Sequence, residues 1–189
     1  MLYRILRLIC VLIFKIFFRI KVSGRNNIPK KGGFILASNH LSFLDPVVLG
    51  VAAVRQLNFF ARHDLFKNPF FSWLISSLGA FPVVRDTADK SALKEALRRL
   101  QDGKALVVFP AGTRGGLEPQ PGIGFLATKA EVPVIPAFIQ GTEKALPKGT
   151  TSIKFTPLAV RFGEPILIDK GKSYEEIAKK IMIGINQLA

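Results

Sequence analysis

The chain is short of the residue types from which many reactive centres are built. Among its 189 residues there are one cysteine and two histidines. Cys10, being single, cannot form an internal disulfide, so nothing here implies an oxidising compartment. No cluster of cysteines and histidines is present to act as a zinc-type ligand set. Acidic residues are scarce, 13 against 27 lysines and arginines, and none occurs before Asp45. A long apolar run is missing too. A spanning helix needs about 20 mostly apolar residues, whereas the N-terminal uncharged run Leu8 to Phe14 stops at Lys15. Phe17-Phe18-Arg19-Ile20 offers no small-residue cleavage site of the kind that follows a signal peptide. There is no internal repeat, no low-complexity tract and no composition break that would announce a second domain.

What is present is greasy and basic. The chain is 49% apolar, with mean hydropathy +0.30 and formal net charge +14. That pairing suits an anionic surface, either a phospholipid headgroup layer or nucleic acid, and charge alone does not choose between them. Its distribution is more informative. Arg4, Arg7, Lys15, Arg19, Lys21, Arg25, Lys30 and Lys31 all precede the first acidic residue. On a helix, Arg4, Arg7, Lys15 and Arg19 share a sector about 120° wide. Ile5, Leu6, Ile9, Ile13, Ile16 and Phe17 occupy much of the opposite side. This pattern describes a helix lying in a membrane interface, cations toward phosphates and apolar residues toward acyl chains. A tilted span, a helix docked on its own domain and a signal anchor stay open as alternatives. Nucleic acid fits less well, because the cations sit on an apolar arm rather than interleaving with aromatics on a sheet face.

The rest of the chain alternates strands with helices. Val22 to Lys31 reads as a short strand and turn, and Phe34 to Ala37 as a compact strand leading into Ser38-Asn39-His40. Asp45-Pro46 reads as an N-cap with proline in the first turn, opening a helix to about Val54. Leu57 to Ala61 is a strand, Phe66 to Gly79 a helix, Phe81 to Val84 a short strand and Ala88 to Gln101 a clean amphipathic helix before Gly103. Then come a strand at Ala105 to Phe109 and a Gly/Pro-rich loop to about Gln120. Further expectations are a helix at Gly122 to Ala130 and a buried strand at Val132 to Ile139 broken by prolines. Two strands (Ser152 to Phe155 and Ala159 to Phe162) and a terminal helix, Tyr174 to Leu188, complete the reading. The expected architecture is a single α/β domain, residues 22–189, with a mostly parallel or mixed sheet covered by helices. Residues 1–21 form an N-terminal membrane-interface arm.

With two histidines, the candidates for a general base near neutral pH are few. His40 leaves a strand and enters a loop, and Asp45 lies within reach of a turn. A carboxylate that accepts a hydrogen bond from one imidazole nitrogen fixes the other as a proton acceptor. The hydroxyl to be deprotonated can then belong to a substrate. His63 and Asp64, being adjacent, tend to point apart and read as structural or surface residues. The stretch Phe109-Pro110-Ala111-Gly112-Thr113-Arg114-Gly115-Gly116 ends a strand in a loop where Gly112 lets backbone N–H groups approach an anion and Arg114 can grip phosphate. Gly79 to Arg85 delivers a second arginine. Phe70, Phe71 and Trp73, with Phe59, Phe60, Phe66 and Leu74, are candidates for an acyl-chain wall or a membrane-facing surface, against the alternative of ordinary core packing.

Taken together and in order, these pieces resemble the glycerolipid (1-acylglycerol-3-phosphate) acyltransferases. Asn39 to Pro46 looks like their N-H-x-x-x-x-D signature, and Gly79 to Arg85 resembles their second block. Phe109 to Gly115 is similar to F-P-E-G-T-R, and Val132 to Pro136 to the fourth block. The resemblance implies an O-acyltransferase with His40 as general base oriented by Asp45. It implies Arg85 and Arg114, with Gly112 and Thr113, at the phosphate of a lysophospholipid acceptor. It further implies acyl-carrier protein or coenzyme A thioester as donor, no cofactor and no metal. Attachment to an anionic membrane follows, monotopic and on the cytoplasmic face. The one departure is Ala111, where the family block usually has glutamate; alanine cannot hydrogen-bond a glycerol hydroxyl, which puts the acceptor in question more than the reaction.

Overall fold

A computed structural model describes residues 2–84 and 89–189. Helix α1 (Leu2–Phe17) and strand β1 (Lys21–Ser23) are followed by β2 (Phe34–Ser38), α2 (Asp45–Ala52), β3 (Leu57–Arg62), α3 (Pro69–Ser77) and β4 (Ala80–Val83). Next come α4 (Lys90–Gln101), β5 (Ala105–Val108), α5 (Pro121–Ala130), β6 (Val134–Gln140), the short α6 (Thr142–Ala145), β7 (Ala159–Phe162) and α7 (Tyr174–Asn186). The seven strands form one sheet in the order β1-β7-β6-β2-β5-β3-β4. Every neighbouring pair is parallel except β6–β7, so the sheet is mixed.

β2 lies at the centre, fully buried along its length, as a strand covered on both faces must be. Phe34 and Leu36 face one layer, with Val48, Leu49 and Ala52 of α2 and Phe14 and Phe18 beyond. Ile35 and Ala37 face the other, with Ala96 and Leu100 of α4, Ile123 and Leu126 of α5 and Ile177 and Ile181 of α7. The expected α/β sandwich is therefore the observed one.

Several local readings change. Ser152 to Phe155 is not a strand; Lys154 N–H donates instead to the Ala145 carbonyl at the end of α6 (2.7 Å). β6 is not broken at Pro136. Gly163 N–H donates to the Pro136 carbonyl (2.9 Å), and the bond proline cannot return falls just past the end of β7. α3 begins only at Pro69, where Asn68 caps it by accepting from Phe71 N–H (3.0 Å). The largest change concerns α1. Arg7 does not point outward with the other cations. It donates to the carbonyls of Gly50 (3.2 Å), Val51 (3.4 Å) and Ala53 (2.5 Å) at the end of α2, and Arg25 adds a bond to Ala52 (2.9 Å). The last carbonyls of a helix lack intrahelical partners and carry partial negative charge, so two guanidinium groups are well placed there. Arg4, Lys15 and Arg19 are exposed, as are Ile5, Leu8, Ile9, Leu12, Ile13, Ile16 and Phe17. No helix among the described residues is long and apolar enough to cross a membrane.

Candidate active site

His40 sits two residues beyond the C-terminal end of central β2, where parallel strands deliver side chains to a shared rim. Its Nδ1 lies 2.7 Å from Asp45 Oδ2. The same oxygen accepts from the N–H groups of Leu41 (2.6 Å) and Ser42 (2.8 Å). Asp45 is wholly buried and His40 nearly so, its side chain 12% exposed. Two backbone N–H groups and one imidazole nitrogen thus converge on a single carboxylate oxygen; with the imidazole proton on Nδ1 all three bonds are made and Nε2 is the acceptor. Oδ1 of Asp45 is buried with no partner among the described residues.

The sequence suggests Asp45 as an N-cap, and the structure corrects this. The cap position is Leu44, and Asp45 is the first helical residue, its carboxylate turned back over the loop instead of onto the helix N–H groups. Other contacts immobilise the turn. Asn39 copies a strand residue: its side chain donates to the Ile139 carbonyl (2.8 Å) and accepts from Ile139 N–H (2.7 Å). The Ser42 hydroxyl donates to the Leu146 carbonyl (2.8 Å). Phe109 stacks on the His40 ring, centroids 4.0 Å apart. None of these roles was readable beforehand; Asn39 and Phe109 were visible only as members of their blocks.

The loop after β5 closes over this turn through Gly115 N–H, which donates to the His40 carbonyl (2.8 Å). Gly112 has φ +70°, a conformation glycine adopts without strain. Two N–H groups of this turn are engaged within it, Gly112 N–H donating to the Phe109 carbonyl (2.9 Å) and Thr113 N–H to that of Ala111 (2.8 Å). Arg114 is the group left over. Its guanidinium lies 3.4 Å above the centre of the exposed Phe43 ring and has no hydrogen bond among the described residues. Stacking uses the guanidinium face and leaves all five edge N–H donors for a ligand. The structure thus brings together His40, Asp45, Gly112, Thr113 and Arg114; Arg85 lies outside the described residues.

Phe70, Phe71 and Trp73 are on α3 and are 71%, 42% and 57% exposed, so they are surface and not core. His63 is exposed, and Asp64 pairs with Arg62; that hydrogen bond holds the Asp64 carboxyl down at about 2. Among the described residues no group of three or more His, Cys, Asp or Glu side chains could hold a metal ion.

Comparison with known proteins points one way. The Acyltransferase family model matches residues 19–140, a stretch that contains His40, Asp45, Arg85, Gly112, Thr113 and Arg114 and leaves out α1. A 1-acyl-sn-glycerol-3-phosphate acyltransferase of Bacillus subtilis is 30% identical over 151 residues, covering 78% of this chain and 73% of that one. The enzyme of the same name from Streptococcus pneumoniae is 30% identical over 164 residues, 82% of this chain and 60% of that one, so the chain spans less than two thirds of this relative. The crystal structure of the 1-acyl-sn-glycerophosphate acyltransferase of Thermotoga maritima superimposes with a TM-score of 0.75 at 25% identity, covering 98% of this chain and 80% of that one.

Proposed function

The chain belongs to the acyltransferase family and is an acyltransferase enzyme, and from that premise we propose that it acylates the sn-2 hydroxyl of 1-acylglycerol-3-phosphate to give phosphatidate. The donor is an acyl thioester of acyl-carrier protein or coenzyme A. His40 is the general base. Its Nε2 takes the proton of the acceptor hydroxyl as that oxygen attacks the thioester carbonyl. The tetrahedral adduct collapses by breaking the C–S bond, and the imidazolium returns its proton to the departing thiolate. Asp45 keeps the imidazole in the needed tautomer and stabilises the imidazolium. The observation that carries this reading is the 2.7 Å His40–Asp45 contact with Nε2 left uncommitted.

The acceptor phosphate is bound by Arg114, whose donors have no competing acceptor among the described residues, together with Arg85 and the Thr113 hydroxyl; Gly112 supplies the turn. Arg4, Lys15, Arg19 and the exposed apolar side of α1 rest on an anionic bilayer, so the enzyme is monotopic and reaches its lipid substrate from the cytoplasmic face. Phe70, Phe71 and Trp73 meet the acyl chain or the membrane.

Ala111 favours a second reading of the acceptor. It is half-buried, brings no polar atom to the loop, and leaves acylation of glycerol-3-phosphate or of another lysolipid as the alternative. A panel of acceptors with acyl-carrier protein and coenzyme A thioesters tests both. Phosphatidate formation from lysophosphatidate, faster than acylation of lysophosphatidylcholine or glycerol-3-phosphate, supports the first reading. The reverse order sinks it and keeps the reaction class.

A further inference from the structure

The exposed apolar side of α1 does not end with the helix. Phe155, in the segment joining α6 to β7, lies against Phe17 with ring centroids 5.0 Å apart and edge-on to Phe18 at 5.4 Å. Phe18 is buried, but Phe17 and Phe155 are 50% and 65% exposed, so the two rings brace one another while facing out. Ile153 is 50% exposed on the same segment. Between Glu143 and Glu164 there is no acidic residue, and Lys148 and Lys154 are exposed. The segment is also firmly tied: Lys154 N–H donates to the Ala145 carbonyl (2.7 Å), Leu158 N–H to that of Phe18 (3.0 Å), and Lys21 N–H to that of Leu158 (2.9 Å).

We propose that residues 147–157 are a second lipid-surface contact, in which Phe155 and Ile153 enter the boundary between headgroups and acyl chains while Lys148 and Lys154 meet anionic headgroups. The proposal rests on the reading of α1 as an interfacial helix. Exposed aromatic and aliphatic side chains flanked by cations match that boundary, apolar on one side and anionic on the other. A second copy of the chain is the poorer occupant, because it would bring another net charge of +14 against a cationic patch. The arrangement also solves a mechanical problem. One helix lying in the interface fixes an axis but lets the attached domain roll about it, and a second contact off that axis stops the roll. Since the Ser42 hydroxyl is bonded to the Leu146 carbonyl at the base of the segment, seating it sets how the His40 turn faces the headgroup layer.

The test is co-sedimentation of the full chain with vesicles of phosphatidylglycerol and phosphatidylcholine, beside pure phosphatidylcholine. Phe155→Ser should lower the partition coefficient about tenfold, the scale of withdrawing one large apolar side chain from lipid. Lys148→Gln with Lys154→Gln should weaken binding only to the anionic vesicles and flatten its salt dependence. In a Trp73→Phe chain, Phe155→Trp emission should shift to the blue on adding vesicles and be quenched by brominated lipid. Unchanged partition of Phe155→Ser, alongside loss of binding by Ile9→Ser with Ile16→Ser, overturns the proposal and leaves the α1 reading standing. Wild-type binding by the α1 variant, or none by the wild type, overturns both. A change in oligomeric state on Phe155→Ser without any change in vesicle binding assigns the patch to self-association instead.

Discussion

The turn from Asn39 to Asp45 and the loop from Phe109 to Gly116 meet at His40, yet they are held in opposite ways. The turn is anchored to distant elements, Asn39 to β6 and Ser42 to the end of α6, while His40 and two of its backbone N–H groups gather on its own buried Asp45 carboxylate. The loop is fixed mainly by its own backbone, and its one charged side chain rests on an exposed ring. The proposed roles, general base for the turn and phosphate site for the loop, account for the contrast. A proton-transfer group loses its effect when misplaced by about 1 Å, so rigid neighbours must define it. A phosphate is broad, multiply charged and arrives with a mobile lipid, so a donor set free to adjust receives it better.

The contrast can be broken most severely at its centre. His40→Ala should lower kcat by about 10²- to 10⁴-fold, the usual contribution of a positioned base, with little change in melting temperature. Equal activity of variant and wild type would make His40 structural. Arg114→Ala should cost roughly 10- to 100-fold in kcat/KM, carried mainly by KM for the phosphorylated acceptor, the worth of charge-assisted hydrogen bonds. A loss in kcat alone would contradict its assignment to the acceptor. Asn39→Ala strands the N–H and carbonyl of Ile139 and should cost about 1–3 kcal/mol of stability in denaturant titration. If it does not, the turn is less rigid than its bonds indicate. The smallest effect belongs to Phe43→Leu, which removes the surface under Arg114. KM should rise about two- to fivefold, stability should hold, and Phe43→Tyr should restore the wild-type value. In an Arg114→Ala background the Phe43→Leu change should have no further effect.

Much of the fold was legible because its signals are local. The apolar repeat Ala92, Leu93, Ala96, Leu97, Leu100 makes α4 whatever surrounds it, and Ala105 to Val108 can only be a covered strand. The readings that failed depend on partners distant in sequence. Ser152 to Phe155 has strand-like alternation, but its backbone is tied to the end of α6, Lys154 N–H donating to the Ala145 carbonyl, and it joins no strand. Arg7 shares a helical sector with Arg4, Lys15 and Arg19, yet the end of α2 claims it. For Asp45, helix cap and partner of His40 begin with the same Asp-Pro sequence and differ only in which way the carboxylate turns.

By itself the sequence determined the pairing of β and α segments, the basic apolar arm, the scarcity of titratable groups that singled out His40, and the ordered blocks that name the family. These follow from residue type and spacing, which are properties of neighbours in the chain. Only the tertiary structure decided that Asp45 faces His40, that Asn39 stitches the turn to β6, that Arg114 lies above Phe43, and that Phe155 continues the surface of α1. Each of those depends on contacts between segments far apart in the chain, and such contacts exist only once the sheet has set the segments side by side.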